Sequence, residues 1–176
     1  MRKLHLQAPG VHVKYINGPL RQVVQVIPAH YDEIWTAGKG SYKLQKQGIM
    51  AEGGEVILYA PHIRYFHSND SMNNEIISLG YHCRDKICHL LKSRDKISRN
   101  AAAHVINVAG PDIFNKKTNK EKLHFNVTLA TGIPEDVCES VGFKYRDPRT
   151  IKKKDYIGPG KLWIDEGGKY LYELEK

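Results

Sequence analysis

Short apolar runs alternate with amphipathic segments along most of the chain, and this alternation is the main structural signal in the sequence. The run at residues 55–60 (EVILYA) is almost continuously apolar, which is typical of a central strand covered on both faces. Further strands are predicted at residues 22–27 (QVVQVI), 104–108 (HVINV) and 125–129 (FNVTL), because these stretches are short and rich in β-branched residues. The sequence therefore predicts a sheet of short, buried strands.

Helical patterns lie between these strands. Four helices are predicted, over residues 31–47, 71–79, 84–92 and 135–140. The C-terminal segment KLWIDEGGKYLYEL predicts a β-hairpin around residues 166–168. Strands separated by helices need crossover connections, so the predicted fold is α/β: a three-layer, Rossmann-like sandwich with a mainly parallel sheet, plus the C-terminal β-hairpin.

Polar residues follow the C-terminal ends of the predicted strands, each close to a proline or a glycine. In a mainly parallel sheet these ends lie along one edge, which is where open α/β sheets bind ligands. Turn chemistry explains the prolines and glycines, but it explains the polar groups less well. The sequence therefore predicts a ligand-binding edge that contains His30, His62, Asp112 and Thr131.

The segment HYDEIWTAGKGSYK carries a candidate binding face. On a helix, Trp35, Lys39 and Tyr42 share one side, since their spacing is i, i+4 and i+7. An ammonium group between two aromatic rings suits a carboxylate or a phosphate. Gly38 and Gly40 each cost a helix about 1 kcal/mol, which suggests that something approaches the backbone closely. The alternative is a core-facing aromatic stripe with a lysine that reaches solvent.

Length and composition narrow the class of protein. The 176 residues fit a single α/β domain spanning residues 1–176. The chain has no apolar stretch of membrane-spanning length and no secretory signal, which predicts a cytoplasmic protein that does not enter membranes. The net charge of +8 leaves open a basic module for nucleic acid or another anionic ligand. A solvated basic surface is the favoured interpretation, because the late basic runs lack interleaved aromatic residues.

Common catalytic and metal-binding motifs are absent from the sequence. It contains no P-loop, GxGxxG, GxSxG, HExxH or CxxC pattern. The stretch YHCRDKICH resembles a metal cluster only at first sight, because helical spacing places His82 and His89 about 10 Å apart along the axis. No metal site is predicted. ATGIPEDV is interpreted as a capped turn, with an anion-binding helix start as the alternative.

Several separated motifs, taken together, resemble a known family. IWTAGKGSYKL, GGEVILYAPHI, GYHCRD, VTLATGIPEDVC and YRDP occur in that order, and the likeness extends from about Gln22 to the end of the chain. They resemble the C-terminal domain of the lactate racemase family, whose members use a nickel-pincer nucleotide, and in particular a branch without an assigned activity.

The resemblance implies an α/β domain that closes a cleft over a cofactor held by a separate N-terminal domain. It implies that Lys39 lies near the carboxylate of a 2-hydroxy acid substrate. Trp35 and Thr36 match an aromatic residue and a glutamine of the family, with changed residue types. Tyr42, His62 and His104 are the remaining predicted contacts to substrate or cofactor. A fixed cation of this kind would orient the acid by its carboxylate.

The sequence also departs from the family pattern. The stretch after APHI reads RYFHSNDSMNN, with its histidine at His67, and Asn107 stands where similar proteins have a second histidine after His104. The N-terminal domain is not recognisable before Arg21. We therefore expect no cofactor on this chain alone and no racemisation by it alone, with an N-terminal-domain partner chain or a homo-oligomer as candidate assemblies. A structural domain that has lost its active half is the remaining alternative.

Overall fold

A computed structural model describes residues 12–93, 97–109 and 112–175. Nine strands are found in this part of the chain. They are β1 (His12–Ile16), β2 (Leu20–Val26), β3 (Met50–Ala60), β4 (Asp112–Asn115), β5 (Lys120–Leu123), β6 (Phe125–Thr131), β7 (Lys144–Tyr145), β8 (Lys161–Ile164) and β9 (Tyr170–Leu174).

Six α-helices connect these strands. They are α1 (Ile34–Ala37), α2 (Lys39–Tyr42), α3 (Asp70–Leu79), α4 (Arg84–Ser93), α5 (Arg99–Ala109) and α6 (Glu135–Ser140). Two 3-10 turns, Pro148–Thr150 and Lys153–Tyr156, precede β8. The α/β class predicted from the alternation of strands and helices is confirmed.

The main sheet has five strands in the order β7-β6-β3-β2-β8, and all neighbours are parallel. From β2 through β3 and β6 to β7, each crossover moves one strand in the same direction. Crossovers of the same hand that move in one direction lie on one face of a sheet. Five of the six helices, all except α2, accordingly contribute side chains to the larger hydrophobic core.

Strand alternation supplies the residues of this core. Val56 and Leu58 of β3 face the helices, whereas Ile57 faces the opposite side, and all three have 0% exposure. The continuously apolar sequence of the strand thus corresponds to burial on both faces, as predicted.

The face away from the helices is covered by a thinner layer. Val24, Ile57 and Ala130 pack there against Tyr156 from the second 3-10 turn, with Trp163 at the margin. Beside this small core lies Glu55, which accepts hydrogen bonds from Arg146 Nη2 (3.0 Å) and Thr128 Oγ1 (2.7 Å). The layer is therefore held by a half-buried polar network as well as by apolar contact.

One element differs in type from the prediction. Residues 104–108 were expected to form a strand and instead lie in α5. The preceding residues explain the difference. Residues 101–103 are alanines, the strongest helix formers. Ser98 caps the start of the helix, because its Oγ accepts a hydrogen bond from the Ala101 N–H at 3.1 Å. The nucleated helix then continues through the β-branched residues that suggested a strand.

Two further elements differ in detail. The weak helix expected over residues 31–47 is two single turns, α1 and α2, joined at Gly38. The C-terminal turn at residues 166–168 is flanked by two strands, and these pair with other strands: β8 lies parallel to β2, and β9 lies parallel to β1. The antiparallel pair of the described chain is β4–β5.

No helix in the described ranges has both the length and the apolar character needed to cross a membrane.

Candidate functional site

An open depression of about 280 Å³ lies between the α1–α2 turns and α5. Trp35, Lys39 and Tyr42 line one wall, as their predicted common face requires. The opposite wall is one side of α5, with residues at helical spacing i, i+3, i+4 and i+7. These residues are Asn100, Ala103, His104 and Asn107.

The two glycines of the α1–α2 segment allow close packing within the protein. A Cβ atom on Gly38 would lie 2.5 Å from Val108 Cγ2, and one on Gly40 would lie 2.6 Å from Leu58 Cδ2. The neighbours that approach the backbone are thus α5 and the sheet. The glycines place the Trp35–Lys39 wall directly against α5, and they are explained without a ligand.

Lys39 is the cation of the depression. Its Nζ lies 5.2 Å from the centroid of the Tyr31 ring, and among the described residues it has no carboxylate partner. The neighbouring Lys43 donates to the Gly168 carbonyl, and its pKa is lowered by burial and by the charge of Lys39. One ammonium group is therefore tied to the protein and the other is available to an anion.

A row of rings forms the floor beside Lys39. Trp35 stacks on His104 with centroids 4.4 Å apart and meets His67 edge-on at 5.0 Å. Tyr81 lies behind His104, with its hydroxyl 2.7 Å from His104 Nε2. The hydroxyl and Nε2 share one hydrogen bond, whose direction depends on which imidazole nitrogen carries the proton.

His104 is uncharged at neutral pH. Burial, together with the charge of His67, lowers its pKa from 6.5 to about 4. Burial also raises the pKa of Tyr81 well above its usual value, so the phenol keeps its proton. The depression consequently carries one positive charge, on Lys39, beside a neutral imidazole that can donate or accept a hydrogen bond.

His62 and Thr36 lie outside the lining of the depression. His62 is exposed, and its Nε2 lies 2.9 Å from the Tyr31 carbonyl oxygen, which places it next to the residue whose ring lies under Lys39. The Thr36 hydroxyl donates to the Glu33 carbonyl at 3.2 Å, within its own turn. The structure thus brings Trp35, Lys39, Tyr42 and His104 together, with His62 nearby.

The predicted edge of polar residues is present only in part. His30 is exposed and packs on Tyr31, with ring centroids 4.2 Å apart. Thr131 is 1% exposed, and its hydroxyl oxygen accepts a hydrogen bond from the Ile133 N–H in the next turn. Asp112 begins β4 instead of following a sheet strand, because the element before it is α5. Residues 110 and 111 of that predicted strand end lie outside the described residues.

Three residues at the site were not among the predicted contacts. Asn100 and Asn107 were missed because α5 was interpreted as a strand. Assigned to a helix, they share a side with His104. His67 belongs to a turn held by Glu33, which accepts from the Ser68 N–H at 2.7 Å, and its Nδ1 accepts from the Asn69 N–H at 2.9 Å.

A larger depression of about 500 Å³ lies beside the β4–β5 pair. It contains none of the predicted site residues. Its cation, Lys122, pairs with Glu52 at 2.6 Å, and His124 Nε2 lies 3.1 Å from the Met50 carbonyl oxygen. Its charged group is thus already matched within the protein.

The described residues do not fit a metal centre. They contain no group of three or more His, Cys, Asp or Glu side chains placed to hold an ion. His82, from the stretch that resembles a metal cluster, instead lies 2.8 Å from Glu121 Oε2. The described residues therefore do not form a metal site built from protein ligands alone, and we derive no chemical step through a nickel-pincer nucleotide.

Part of the late basic charge is paired with acids. Arg149 contacts Asp147 at 2.6 Å, and Lys153 contacts Asp165 at 2.9 Å. Arg146 contacts Glu55. These pairs reduce the charge available to a polyanion, and the nucleic-acid alternative stays a prediction.

Comparison with known proteins supports the fold. The chain matches a protein of Thermotoga maritima in its crystal structure with a TM-score of 0.92 and 55% sequence identity, over 93% of this chain and 39% of that one. It thus spans 39% of the length of that relative. Lactate racemase apoprotein from Thermoanaerobacterium thermosaccharolyticum is a distant fold match, with a TM-score of 0.51 and 11% identity, over 89% of this chain and 36% of that one. No family model and no curated protein matches the chain.

Proposed function

We propose that the depression between the α1–α2 turns and α5 binds the carboxylate of a small 2-hydroxy acid, with Lys39 as its anchor. The single observation that carries this proposal is the state of Lys39. It lines a depression of about 280 Å³, lies over the Tyr31 ring and has no acidic partner in the described chain. A cation held by aromatic contact, with its charge unmatched, favours an anion.

The surroundings of Lys39 suit a small organic acid. Trp35 and Tyr42 offer apolar surface to a short carbon chain, and the neutral His104 offers one hydrogen bond without a second charge. Held in this way, the acid would present the carbon next to its carboxylate in a fixed orientation. Lys39 thus acts as a positioning cation.

We further propose that the domain is the cleft-closing, substrate-holding part of a lactate racemase-like isomerase. The fold match with lactate racemase and the order of the sequence motifs support this assignment. Since the described residues lack a metal centre, the nickel-pincer nucleotide would be held by a separate cofactor-bearing domain or chain. Turnover then requires that second component.

Isothermal titration calorimetry with D- and L-lactate tests the proposal. Hydrogen bonds to charged groups contribute about 1.5–3 kcal/mol, so Lys39→Ala is expected to weaken binding roughly 10- to 100-fold. Lys46→Ala is the matched control, because Lys46 follows Lys39 in the same segment of the chain. Lys46 is exposed and forms an ion pair with Glu173. The control variant should bind lactate like the wild type.

In a preparation reconstituted with the cofactor-bearing component, Lys39→Ala should abolish turnover of the hydroxy acid while the circular dichroism spectrum stays unchanged. Equal affinity or equal turnover of the Lys39 and Lys46 variants would remove Lys39 from the site.

A further inference from the structure

The wall of the depression opposite Lys39 carries two side-chain amides that the proposed carboxylate anchor does not use. Asn100 and Asn107 are exposed on α5, on either side of His104. Neither amide has a hydrogen-bonding partner within the part of the chain that the structure describes. Paired donors and acceptors of this kind suit neutral polar groups such as hydroxyls.

The two amides lie at different distances from the anchor. The α2 turn packs on the C-terminal half of α5: the Ser41 hydroxyl donates to the Val108 carbonyl at 3.0 Å, and the Gln45 amide donates to the Asn107 carbonyl at 2.6 Å. Trp35 of α1 stacks on His104, one turn earlier in α5. Along the depression the order is therefore the α2 turn, which begins at Lys39, beside Asn107 and Val108, then Trp35 beside His104, then Asn100.

The depression is longer along α5 than a lactate molecule. Seven residues of α-helix separate Asn100 from Asn107, which is about 10 Å along the axis. One water molecule takes about 30 Å³ in the liquid, so a three-carbon acid leaves much of a depression of about 280 Å³ unfilled. An acid anchored at Lys39 must extend past His104 before it reaches Asn100.

The charges that line the depression limit which groups the ligand can carry beyond its carboxylate. Lys39 is the one cation among the residues that line the depression, and Lys43 is already bonded to the Gly168 carbonyl. A second carboxylate would face two amides and an uncharged imidazole, with no counter-ion among the described residues that line the depression. A hydroxyl group can both donate to an amide oxygen and accept from an amide N–H.

We propose that Asn100 and Asn107 determine substrate specificity by binding hydroxyl groups, so that the ligand is a monocarboxylic acid with at least one hydroxyl beyond the 2-position. Asn107 binds the hydroxyl next to the carboxylate, and Asn100 binds a hydroxyl further along the chain. This inference rests on the proposed carboxylate site at Lys39 and names the class of acid that the site takes.

Matched ligands test the proposal on the full chain by isothermal titration calorimetry. Lactate and glycerate of the same configuration differ by one hydroxyl group, threonate extends the hydroxylated chain, and malate carries a second carboxylate. We expect threonate to bind more tightly than lactate by roughly three- to tenfold, the contribution of a neutral hydrogen bond, with glycerate at or above lactate. Malate should gain nothing over lactate.

Variants of the two asparagines assign the effect. Asn100→Ala should reduce threonate to the affinity of lactate and leave lactate unchanged, whereas Asn107→Ala should weaken both acids. Asn74→Ala, at an exposed asparagine on α3 that does not line the depression, is the control and should bind all acids like the wild type.

The outcomes separate the two proposals. The specificity inference is wrong if lactate and threonate bind equally, if malate binds most tightly, or if Asn100→Ala still prefers threonate to lactate. Binding that depends on Lys39 would still support the carboxylate site in these cases. If no acid binds, or Lys39→Ala binds them all equally well, the carboxylate site is wrong and the specificity inference falls with it.

Discussion

At the scale of single residues, the charge states in the depression decide what it can bind. Lys39 is a cation without a described acidic partner, and beside it His104 is held neutral by burial. A protonated His104 would add a second positive charge beside the Trp35 ring and would donate its Nε2 proton to the Tyr81 oxygen. The proposed selectivity for a single negative charge therefore depends on the packing of Trp35 and Tyr81 around one imidazole.

The lowered pKa of His104 predicts how stability depends on pH. In the unfolded chain this histidine titrates near 6.5, and in the folded protein near 4. Between these values only the unfolded state takes up the proton, so the free energy of unfolding falls as the pH decreases from about 6.5 to about 4. At pH 5 the loss from this residue is about 2 kcal/mol relative to pH 7.5.

Urea unfolding at pH 7.5 and pH 5.0 measures this effect, with His104→Gln as the comparison because its side chain does not titrate. The wild type should lose about 2 kcal/mol more than the variant between the two pH values. Equal losses in the two proteins would contradict a buried, neutral His104.

Sequence alone predicted part of the lining of this depression. Trp35, Lys39, Tyr42 and His104 are in the depression, whereas Asn100 and Asn107 were hidden by the interpretation of residues 104–108 as a strand. Alternating β-branched residues do favour a strand, but three preceding alanines and a capping serine nucleate a helix that carries through them. His62 was predicted to contact a ligand and lies outside the lining, and its contact with a backbone carbonyl depends on a turn that no periodicity predicts.

At the scale of elements, the joint between α1 and α2 positions the Lys39 wall. Gly38 has helical backbone angles (φ −54°, ψ −17°), so an alanine there suits the backbone. Its Cβ would nevertheless lie 2.5 Å from Val108 Cγ2 and 3.2 Å from the Ile34 carbonyl oxygen. The contact between α1–α2 and α5 thus requires the glycine for steric reasons.

We expect Gly38→Ala to destabilise the protein by about 1–3 kcal/mol, the usual cost of overpacking a core. The double variant Gly38→Ala/Val108→Ala should be more stable than the sum of the single changes predicts, because removing the Val108 methyl groups makes room for the new Cβ. Chemical denaturation of the four proteins completes the cycle. Additive effects would show that the two residues do not meet.

At the scale of the whole molecule, the order of the strands explains the layers. Sequence patterns predicted the parallel sheet and most of its strands, since buried strands and their terminating turns are local signals. Three layers were expected, and the second face is covered by residues 148–156 and Trp163, a layer without an α-helix in the described chain. That outcome depends on strand order, which only long-range pairing sets.

On the face of the sheet away from the helices, we expect Arg146 and Arg149 to contribute differently to stability. Arg146 binds the half-buried Glu55, which also accepts from Thr128, whereas Arg149 pairs with Asp147 and has a side chain that is 88% exposed. Arg146→Ala should cost about 1–3 kcal/mol because it leaves a partly buried carboxylate short of a donor. Arg149→Ala should cost clearly less than Arg146→Ala, because exposed ion pairs contribute little. Equal costs in thermal or chemical denaturation would contradict the network.

Salt dependence tests the nucleic-acid alternative at the same scale. A basic protein that neutralises many phosphates loses affinity steeply as salt rises. Because part of the late basic charge is paired with acids, we expect no binding of duplex or single-stranded DNA or of RNA in filter assays at low salt. Tight, salt-sensitive binding would favour the polyanion function over the carboxylate site.

The central claim is that a small hydroxy acid binds beside Lys39, and the two tryptophans of the chain test it directly. Trp35 lines the depression, whereas Trp163 lies on the opposite face of the sheet and donates to Asp165. In a ¹H–¹⁵N correlation spectrum recorded during a titration with L-lactate, glycerate or threonate, the indole signal of Trp35 should shift to saturation while that of Trp163 stays fixed. Lys39→Ala should abolish the shift at the same ligand concentrations. An unmoved Trp35 signal in the wild type, or equal movement of both signals, would contradict the account.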